Sequence, residues 1–238
     1  HELRTPMNSV IGFAQMLEDD SSDPLTERQA RCVGHIVKAG RHLLGLINEL
    51  LDLSRLEAGR IDFAIENVPV VSVVDECLDL LAPSIEQNGI QLVRFSMLPE
   101  GAAVRADPVR LKQVLINLLT NAIKYNRDQK QVGIGCWPSR DGMLRLFVAD
   151  TGVGIEQERL QEVFTLYHRL NEHDSQVEGS GIGLAISHRL IEGMQGRIGV
   201  ESRLGRGSVF WFELPLVMLE NTENELLGSR PLANPVSG

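Results

Sequence analysis

The sequence lacks several features that define common classes of protein. Its three cysteines, Cys32, Cys77 and Cys136, are widely spaced, and this odd number disfavours both a disulfide framework and a zinc site. No signal peptide and no run of about 18 apolar residues is present, so we expect no membrane contact from this segment itself. Basic residues are not in excess. The formal net charge of −9 argues against a nucleic-acid partner.

Two common phosphate-binding motifs are also missing. Neither G-x-G-x-x-G nor G-x-x-x-x-G-K-[ST] occurs, which excludes a Rossmann or Walker nucleotide site. The composition is that of an ordinary soluble globular protein, with 43% apolar and 23% charged residues over 238 positions. One large domain or two small ones could therefore bury a core.

The first segment, residues 1–18, has helical periodicity interrupted by a proline. An apolar stripe is formed by Val10, Phe13, Ala14 and Leu17. Pro6 cannot donate to the carbonyl of the residue four positions earlier, so a helix running through it would lose that bond and bend. The bend would follow the polar start HELRT, an arrangement that a packing helix does not need.

A second, longer helix is predicted over residues 25–56, after a turn at DDSSDP. Its apolar seam has spacings of four, three, four and three, at Ile36, Gly40, Leu43, Ile47 and Leu50. A hairpin of two such helices buries only one face of each helix. We therefore predict an all-α hairpin that forms a dimeric four-helix bundle as a homodimer.

From Val70 the pattern changes to helices mixed with strands. Helices are predicted over 71–87, 108–126 and 181–194, and strands over 90–97, 131–137, 144–150, 197–202 and 207–216. This mixture predicts an α+β sandwich with a mixed sheet. We expect a helical domain at 1–58, a hinge linker at 59–69, the sandwich domain at 70–218 and a flexible tail at 219–238.

The segment RLKQVLINLLTNAIKYN carries the most informative spacing. Gln113, Asn117 and Asn121 lie on one side of a helix, and the opposite face is apolar: Leu111, Val114, Leu115, Leu118 and Ala122. An amide oxygen is a suitable ligand for Mg²⁺, and Lys124 could meet a phosphate. An ordinary amphipathic helix with an exposed amide face would show the same spacing, so that alternative stays open.

Two glycine-rich turns follow. In the first, Asp150 ends a hydrophobic strand and precedes Gly152 and Gly154; a carboxylate there can accept a hydrogen bond from an adenine amino group. The second turn precedes an apolar helix whose first N–H groups can bind an anion, and it contains Gly179, Gly181 and Gly183. Taken alone, the first turn is also a common loop and the second an ordinary helix cap.

Six segments together resemble a known family. HELRTP, INLLTNAIKYN, DTGVGI, EVFTLYHRL and GSGIGLAI, in this order, resemble the H, N, G1, F and G2 boxes of sensor histidine kinases. GRGSVFWFELP resembles the strand end that closes their ATP-binding domain. The resemblance spans residues 1–216. It implies a phosphotransfer hairpin, a Bergerat-type ATP-binding sandwich, and ATP and Mg²⁺ as cofactors.

The resemblance also implies roles for the H box. His1 would be the phosphoacceptor that attacks the γ-phosphoryl group of ATP, and Glu2 would accept the other ring proton. Thr5 would position water for the reverse activity, dephosphorylation of a partner. That partner would be the aspartate of a response-regulator receiver domain, in two-component signalling. The location would be cytoplasmic, with the full-length protein free to be membrane-anchored.

In the ATP domain the resemblance implies one role for each matching residue. Asn121 would bind Mg²⁺, Asn117 would act in catalysis and, with Lys124, contact the phosphates, and Tyr125 would line the nucleotide pocket. Asp150 would bind the adenine amino group. The remaining cofactor contacts would be Gly152, Gly154, Gly179, Gly181, Gly183 and Leu184, and residues 168–180 would form a mobile lid.

Two further expectations concern partners and activity. We expect the receiver domain to dock on an exposed face around Met7, Ile11 and Ala14. An active kinase is the main hypothesis. A phosphatase-dominant member and a pseudokinase scaffold that signals by conformation remain alternatives.

Overall fold

The computed structural model describes Glu2 and residues 4–20, 24–58, 62–96, 101–127, 130–166 and 181–219. These residues divide into two compact units. One unit contains the described residues up to Asp62 and those from Gln161 to Arg189; the other contains Phe63–Leu160 and the described residues from Leu190 onward. Among the described residues, no helix has the length and apolar character needed to span a membrane.

The described residues form five α-helices and seven strands. The helices are α1 (Arg4–Asp19), α2 (Glu27–Glu57), α3 (Val70–Gln87), α4 (Pro108–Lys124) and α5 (Gly183–Gly193). The strands are β1 (Glu66–Pro69), β2 (Gln91–Ser96), β3 (Ala102–Ala106), β4 (Gln131–Pro138), β5 (Met143–Asp150), β6 (Arg197–Arg203) and β7 (Gly207–Met218). Two short 3-10 helices are also described, one at Arg140–Gly142 and the other at Gln157–Arg159.

Helices α1 and α2 pack against each other, which confirms the predicted hairpin. A capping box begins α2: the Thr26 side chain accepts from the Gln29 N–H, and the Gln29 side chain accepts from the Thr26 N–H at 2.9 Å. In the interface between the helices, Ala14 of α1 packs with Val33 and Val37 of α2. The capping box at the start of α2 and the packing of Ala14 with α2 both agree with the predicted hairpin.

The predicted bend at Pro6 stays a prediction. Helix α1 begins at Arg4, so Pro6 lies in its first turn. The N–H groups of a first turn have no partner inside the helix, and a proline there costs no hydrogen bond. His1 lies outside the described residues.

The predicted docking face around Met7, Ile11 and Ala14 is wrong. Only 8% of Ile11 and 5% of Ala14 are exposed. The Met7 side chain and Ile11 both lie beside Gly40 of α2. This face of α1 is occupied by α2 and is not open to a receiver domain.

The close approach of the two helices depends on a glycine. A Cβ at Gly40 would lie 2.8 Å from Cγ1 of Ile11, nearer than carbon atoms pack, whereas a Cβ at Gly45 would meet nothing within 4 Å. We expect Gly40→Ala to lower the free energy of unfolding of the hairpin by about 1–3 kcal/mol. Gly45→Ala, the matched control, should raise it by about 0.5–1 kcal/mol, because alanine favours a helix. Thermal denaturation followed by circular dichroism measures both, and equal effects would contradict the packing argument.

The described strands form one mixed sheet in the order β1-β3-β7-β5-β4-β2, with β6 also paired to β7. Strands β2 and β4 are parallel, and the other pairs are antiparallel. Strand β3 was not predicted. Strand β1 lies inside the segment 59–69 that was predicted as a hinge, and its pairing with β3 makes residues 66–69 part of the sheet.

Helices α3 and α4 pack against each other and against the sheet, α4 on β4 and β5, and α3 on β1 and β3. The predicted apolar face of α4 is buried, with at most 4% exposure at each position: Leu111, Val114, Leu115, Leu118 and Ala122. This confirms the predicted fold class, a helical region followed by an α/β sandwich with a mixed sheet. It also fixes which side of α4 remains available for a ligand.

Candidate nucleotide-binding site

The amide side chains of α4 lie away from its buried face. Asn117 and Asn121 are half-buried, and Nδ2 of Asn121 lies 3.5 Å from Oδ1 of Asn117. Gln113, one turn earlier, accepts a hydrogen bond from Nη1 of Arg110 at 2.8 Å. Asn117 and Asn121 are therefore in contact on one side of α4, and Gln113 lies one turn before Asn117.

The end of α4 brings a cation and an aromatic ring together. Lys124 and Tyr125 are half-buried, and Nζ of Lys124 lies 5.3 Å from the centre of the Tyr125 ring. Tyr125 caps the helix by donating its N–H to the carbonyl of Asn121. A positive charge thus lies one turn beyond the two asparagines, as predicted from the sequence.

Asp150 ends β5 and is the most perturbed carboxylate of the site. Burial raises its pKa to about 6 from the ordinary 3.8, although N–H donation from the backbone of Gly152 and Ser208 opposes that shift. The Gly152 N–H lies 2.8 Å from Oδ1. A buried carboxylate with remaining acceptor capacity suits a hydrogen-bond donor such as an amino group.

Two glycines shape the loop after Asp150 because the backbone of other segments comes very close. A Cβ at Gly152 would lie 2.1 Å from the carbonyl oxygen of Tyr125. A Cβ at Gly154 would lie 2.1 Å from the carbonyl oxygen of Arg203, and Gly154 has a φ of +69°. Neither position can carry a side chain without moving the loop.

The turn between β6 and β7 braces this loop, and the sequence did not predict these contacts. The Ile155 N–H donates to Oγ of Ser202 at 2.8 Å, and the Gly205 N–H donates to the carbonyl of Val153 at 2.7 Å. A Cβ at Gly207 would lie 1.9 Å from the carbonyl oxygen of Asp150. The G-x-G at 205 and 207 was the sequence signal for this brace.

A second support, also not predicted, involves Thr151. Its hydroxyl donates to Oδ1 of Asn126 at 3.1 Å and accepts from the Gln131 N–H at 3.1 Å. Asn126 in turn donates from Nδ2 to the carbonyl of Gln131 at 2.8 Å. These bonds join the segment after α4 to the start of β4 and the end of β5.

The second glycine turn is described in part. Gly181 has a φ of +70°, Gly183 is the first residue of α5, and Leu184 is half-buried. The helix start therefore falls where the sequence predicted an anion-binding turn. Gly179 and the predicted lid at 168–180 lie outside the described residues.

In the hairpin unit, the described part of the H box is open to solvent. Glu2 is exposed, and Thr5 is exposed in the first turn of α1. Arg4 is held by α2, because its Nε donates to Oδ1 of Asn48 at 2.9 Å. The first turn of α1 is therefore anchored at Arg4.

Two family models match the two regions. Residues 106–218 match the model described as histidine kinase-, DNA gyrase B- and HSP90-like ATPase. Residues 1–59 match the model described as His Kinase A (phospho-acceptor) domain. The sheet and its helices therefore contain an ATP-binding domain of this class.

Known proteins match nearly the whole chain. The sensor protein GacS of Pseudomonas syringae is 36% identical over 95% of this chain and 25% of its own length. The circadian input-output histidine kinase CikA of Synechococcus elongatus is 38% identical over 97% of this chain and 30% of its own length. The crystal structure of full-length ShkA in complex with AMPPNP superposes with a TM-score of 0.77 at 33% identity, over 93% of this chain and 45% of that chain.

The chain belongs to the family of sensor histidine kinases. It spans about a quarter of the length of the curated relatives it matches.

Proposed function

We propose that this chain transfers the γ-phosphoryl group of ATP to its own His1 and then passes it to an aspartate of a response-regulator receiver domain. The observation that carries the proposal is the α4–β5 site: stacked amides, an adjacent lysine and a buried carboxylate at a glycine loop. An otherwise ordinary amphipathic helix would not need the buried carboxylate or the braced loop beside it.

Each residue of the site has a proposed role. Asp150 accepts a hydrogen bond from the adenine amino group, Tyr125 lines the pocket, and Asn117 and Lys124 contact the phosphates. Asn121 supplies an amide oxygen to Mg²⁺, and this donor suits a hard cation that also takes phosphate oxygens. When bound, the metal would neutralise phosphate charge. The N–H groups at Gly179, Gly181, Gly183 and Leu184 would contribute phosphate contacts.

At the hairpin, we propose that the neutral imidazole of His1 is the nucleophile. Glu2 orients the ring by accepting its other proton, which holds the attacking nitrogen unprotonated. We place the phosphotransfer domain at 1–58, the linker at 59–65 because 66–69 form β1, and the tail beyond the sheet at 219–238.

The test of this function is the chemistry and position of the phosphoryl group. The chain is incubated with γ-labelled ATP and Mg²⁺, the label is challenged with acid and alkali, and the modified residue is mapped by mass spectrometry. We expect an acid-labile, alkali-stable label on His1. Nucleotide binding without any label in a dimeric preparation would contradict the kinase and favour a pseudokinase scaffold.

We further propose a homodimer formed by the exposed apolar seam of the hairpin. Ile36, Leu43 and Leu50 of α2 are 47%, 45% and 42% exposed, and Phe13 of α1 is 67% exposed. Within one chain the α1–α2 contact does not cover them. A second copy of the hairpin, packed as a four-helix bundle, would bury this seam.

Charged substitutions on the seam should therefore give a monomer. We expect the double variant Ile36→Glu, Leu43→Glu to sediment with the mass of one chain, because dimerisation would bury two charges per protomer. Leu80→Glu is the control, since Leu80 is a 65% exposed apolar residue on α3 outside the hairpin. It should leave the two-chain mass unchanged. A monomeric wild type would contradict the dimer.

We propose a second, reverse activity at Thr5, supported by its exposure in the first turn of α1, four residues after His1. Its hydroxyl could position water for hydrolysis of the receiver's aspartyl phosphate. We expect Thr5→Ala to slow loss of phosphate from the receiver by roughly a hundredfold, the scale of a lost general-base contact, while autophosphorylation stays near wild type. Time courses with purified phosphorylated receiver measure the first rate, and equal losses of both activities would reject the assignment.

A further inference from the structure

The first residues of the second unit are tied to two helices of the ATP-binding domain. The Ala64 N–H donates to Oδ2 of Asp107 at 3.1 Å, and the Asp107 N–H contacts Sδ of Met194 at 3.3 Å. The Phe63 ring lies against Gly193, where a Cβ would be 2.3 Å from Cζ. We call these five residues the linker latch. It joins the segment before β1 to the start of α4 and the end of α5.

Only one of the two carboxylate oxygens of Asp107 is needed to cap α4. Its Oδ1 caps α4 by accepting from the Val109 N–H at 3.0 Å and the Arg110 N–H at 3.1 Å. One oxygen is sufficient for an N-cap, and serine performs that role about equally well. Oδ2 is the acceptor for Ala64, and Asp107 is only 7% exposed. The second oxygen therefore serves the linker.

Gly193 is likewise not explained by the helix that it ends. The left-handed residue after α5 is Gln195, with a φ of +61°, and the Gly196 N–H closes the turn on the carbonyl of Ile191. Gly193 is the last residue of α5 and its φ is not positive, so its own backbone does not require glycine there. The Phe63 ring occupies the space that an alanine Cβ would need.

We propose that Asp107 and Gly193 are positioning residues for autophosphorylation, because they fix the point at which the linker joins the ATP-binding domain. The inference rests on the proposed kinase function. With the latch closed, the chain is fixed to the ATP-binding domain from Phe63 onward; with the latch open, the first fixed residue is Glu66 of β1.

A longer connection between two linked domains lowers the effective concentration of one domain near the other. The effective concentration falls roughly as the −3/2 power of tether length, so opening the latch should lower it about two- to threefold. Loss of a fixed exit direction adds to this effect, because misorientation of reacting groups slows transfer further. ATP binding uses none of the latch residues and should not change.

Two variants open the latch by independent routes. Asp107→Asn keeps Oδ1 for the cap but places an amide nitrogen where Ala64 needs an acceptor, and Gly193→Ala displaces the Phe63 ring. Val109→Ala is the matched control, since Val109 is 68% exposed beside Asp107. For each full-length chain we would measure the autophosphorylation rate at saturating ATP, the affinity for AMPPNP, the melting temperature and the hydrogen exchange of the Ala64 amide.

We expect both latch variants to label at least about threefold more slowly than wild type, with faster exchange at Ala64 and unchanged nucleotide affinity. The melting temperature should fall by a few degrees, because the lost contacts cost stability while the sheet stays intact. The control should match wild type in every measurement. Wild-type rates despite faster Ala64 exchange would overturn the inference. A parallel loss of nucleotide affinity would also overturn it, in favour of a purely structural role. A wild-type chain that takes no label would overturn the proposed function and this inference with it.

Discussion

Asp150→Asn is expected to lower ATP affinity by about a hundredfold and, at the same time, to stabilise the ATP-binding domain. The affinity falls because the amide presents a donor where the adenine amino group needs an acceptor, and a hydrogen bond to a buried charged group contributes about 1.5–3 kcal/mol. The stability of the domain rises because the variant removes an ionised carboxylate whose burial raises the pKa to about 6. Binding and stability should therefore change in opposite directions.

The sign of the stability effect follows from proton linkage. The folded pKa of about 6 lies above the ordinary 3.8, so the folded state binds the proton more tightly than the unfolded state does. Protonated Asp150 is the form that folding favours. The stability that depends on this proton is fully present below the unfolded pKa and is lost as the pH rises through the folded pKa. At pH 7.5 the ionised form costs roughly 3 kcal/mol, which Asp150→Asn should recover in part.

Calorimetry and nucleotide titration check both halves of this prediction. The control is Asp141→Asn at the exposed β4–β5 turn, where a φ of +60° suits asparagine and neither quantity should change. In the wild type, ATP affinity should also weaken as the pH falls below about 6, because protonation of Asp150 removes the charge that strengthens this hydrogen bond. A variant that loses stability, or binds ATP as well as wild type, would contradict the assignment.

Asn121→Ala is expected to lower the autophosphorylation rate by a hundredfold or more. The variant removes the amide oxygen that we assign to Mg²⁺, and a metal held there would lower the barrier to phosphoryl transfer by several kcal/mol. It also removes the Nδ2 contact with Asn117, which holds the two side chains in one ladder. Asn121→Asp keeps an oxygen at the same position and should retain more of the rate.

The measurement is the initial rate of labelling over a range of Mg²⁺ concentrations, alongside the affinity for AMPPNP. For Asn121→Ala we expect a higher Mg²⁺ requirement as well as a lower maximal rate. Thr120→Ala is the control, because the Thr120 hydroxyl is exposed and bonds only to its own helix in the contacts seen here: the carbonyls of Ile116 and Asn117. Normal labelling by Asn121→Ala would exclude the assigned role.

The parts of the site that depend on local periodicity were predictable from the sequence. The amide ladder of Asn117 and Asn121 follows from spacing along one helix, and the buried face opposite it follows from the same 3.6-residue repeat. The loop glycines were also predictable, because few residues other than glycine adopt the φ of Gly154. The segments that pack against these glycines could not be predicted from the sequence.

The features that the sequence did not predict depend on distant segments. Strands β1 and β3 are short, with four and five residues. They form strands because they pair with each other across about 40 positions of the sequence. The brace from Ser202 to Ile155 joins residues 47 apart. On α1, periodicity could not decide which apolar side faces α2, so Ile11 was predicted to be open and is 8% exposed.

Strand β7 gives the sheet a definite order of assembly during translation. It is the last strand that the structure describes, yet it is the shared partner of β3, β5 and β6. Until the residues of β7 leave the ribosome, no strand pairing joins the β1–β3 pair to the β2–β4–β5 group. Nascent chains should therefore hold two separate, incomplete sheet fragments with open edges, and chaperone contact is expected to concentrate in that interval.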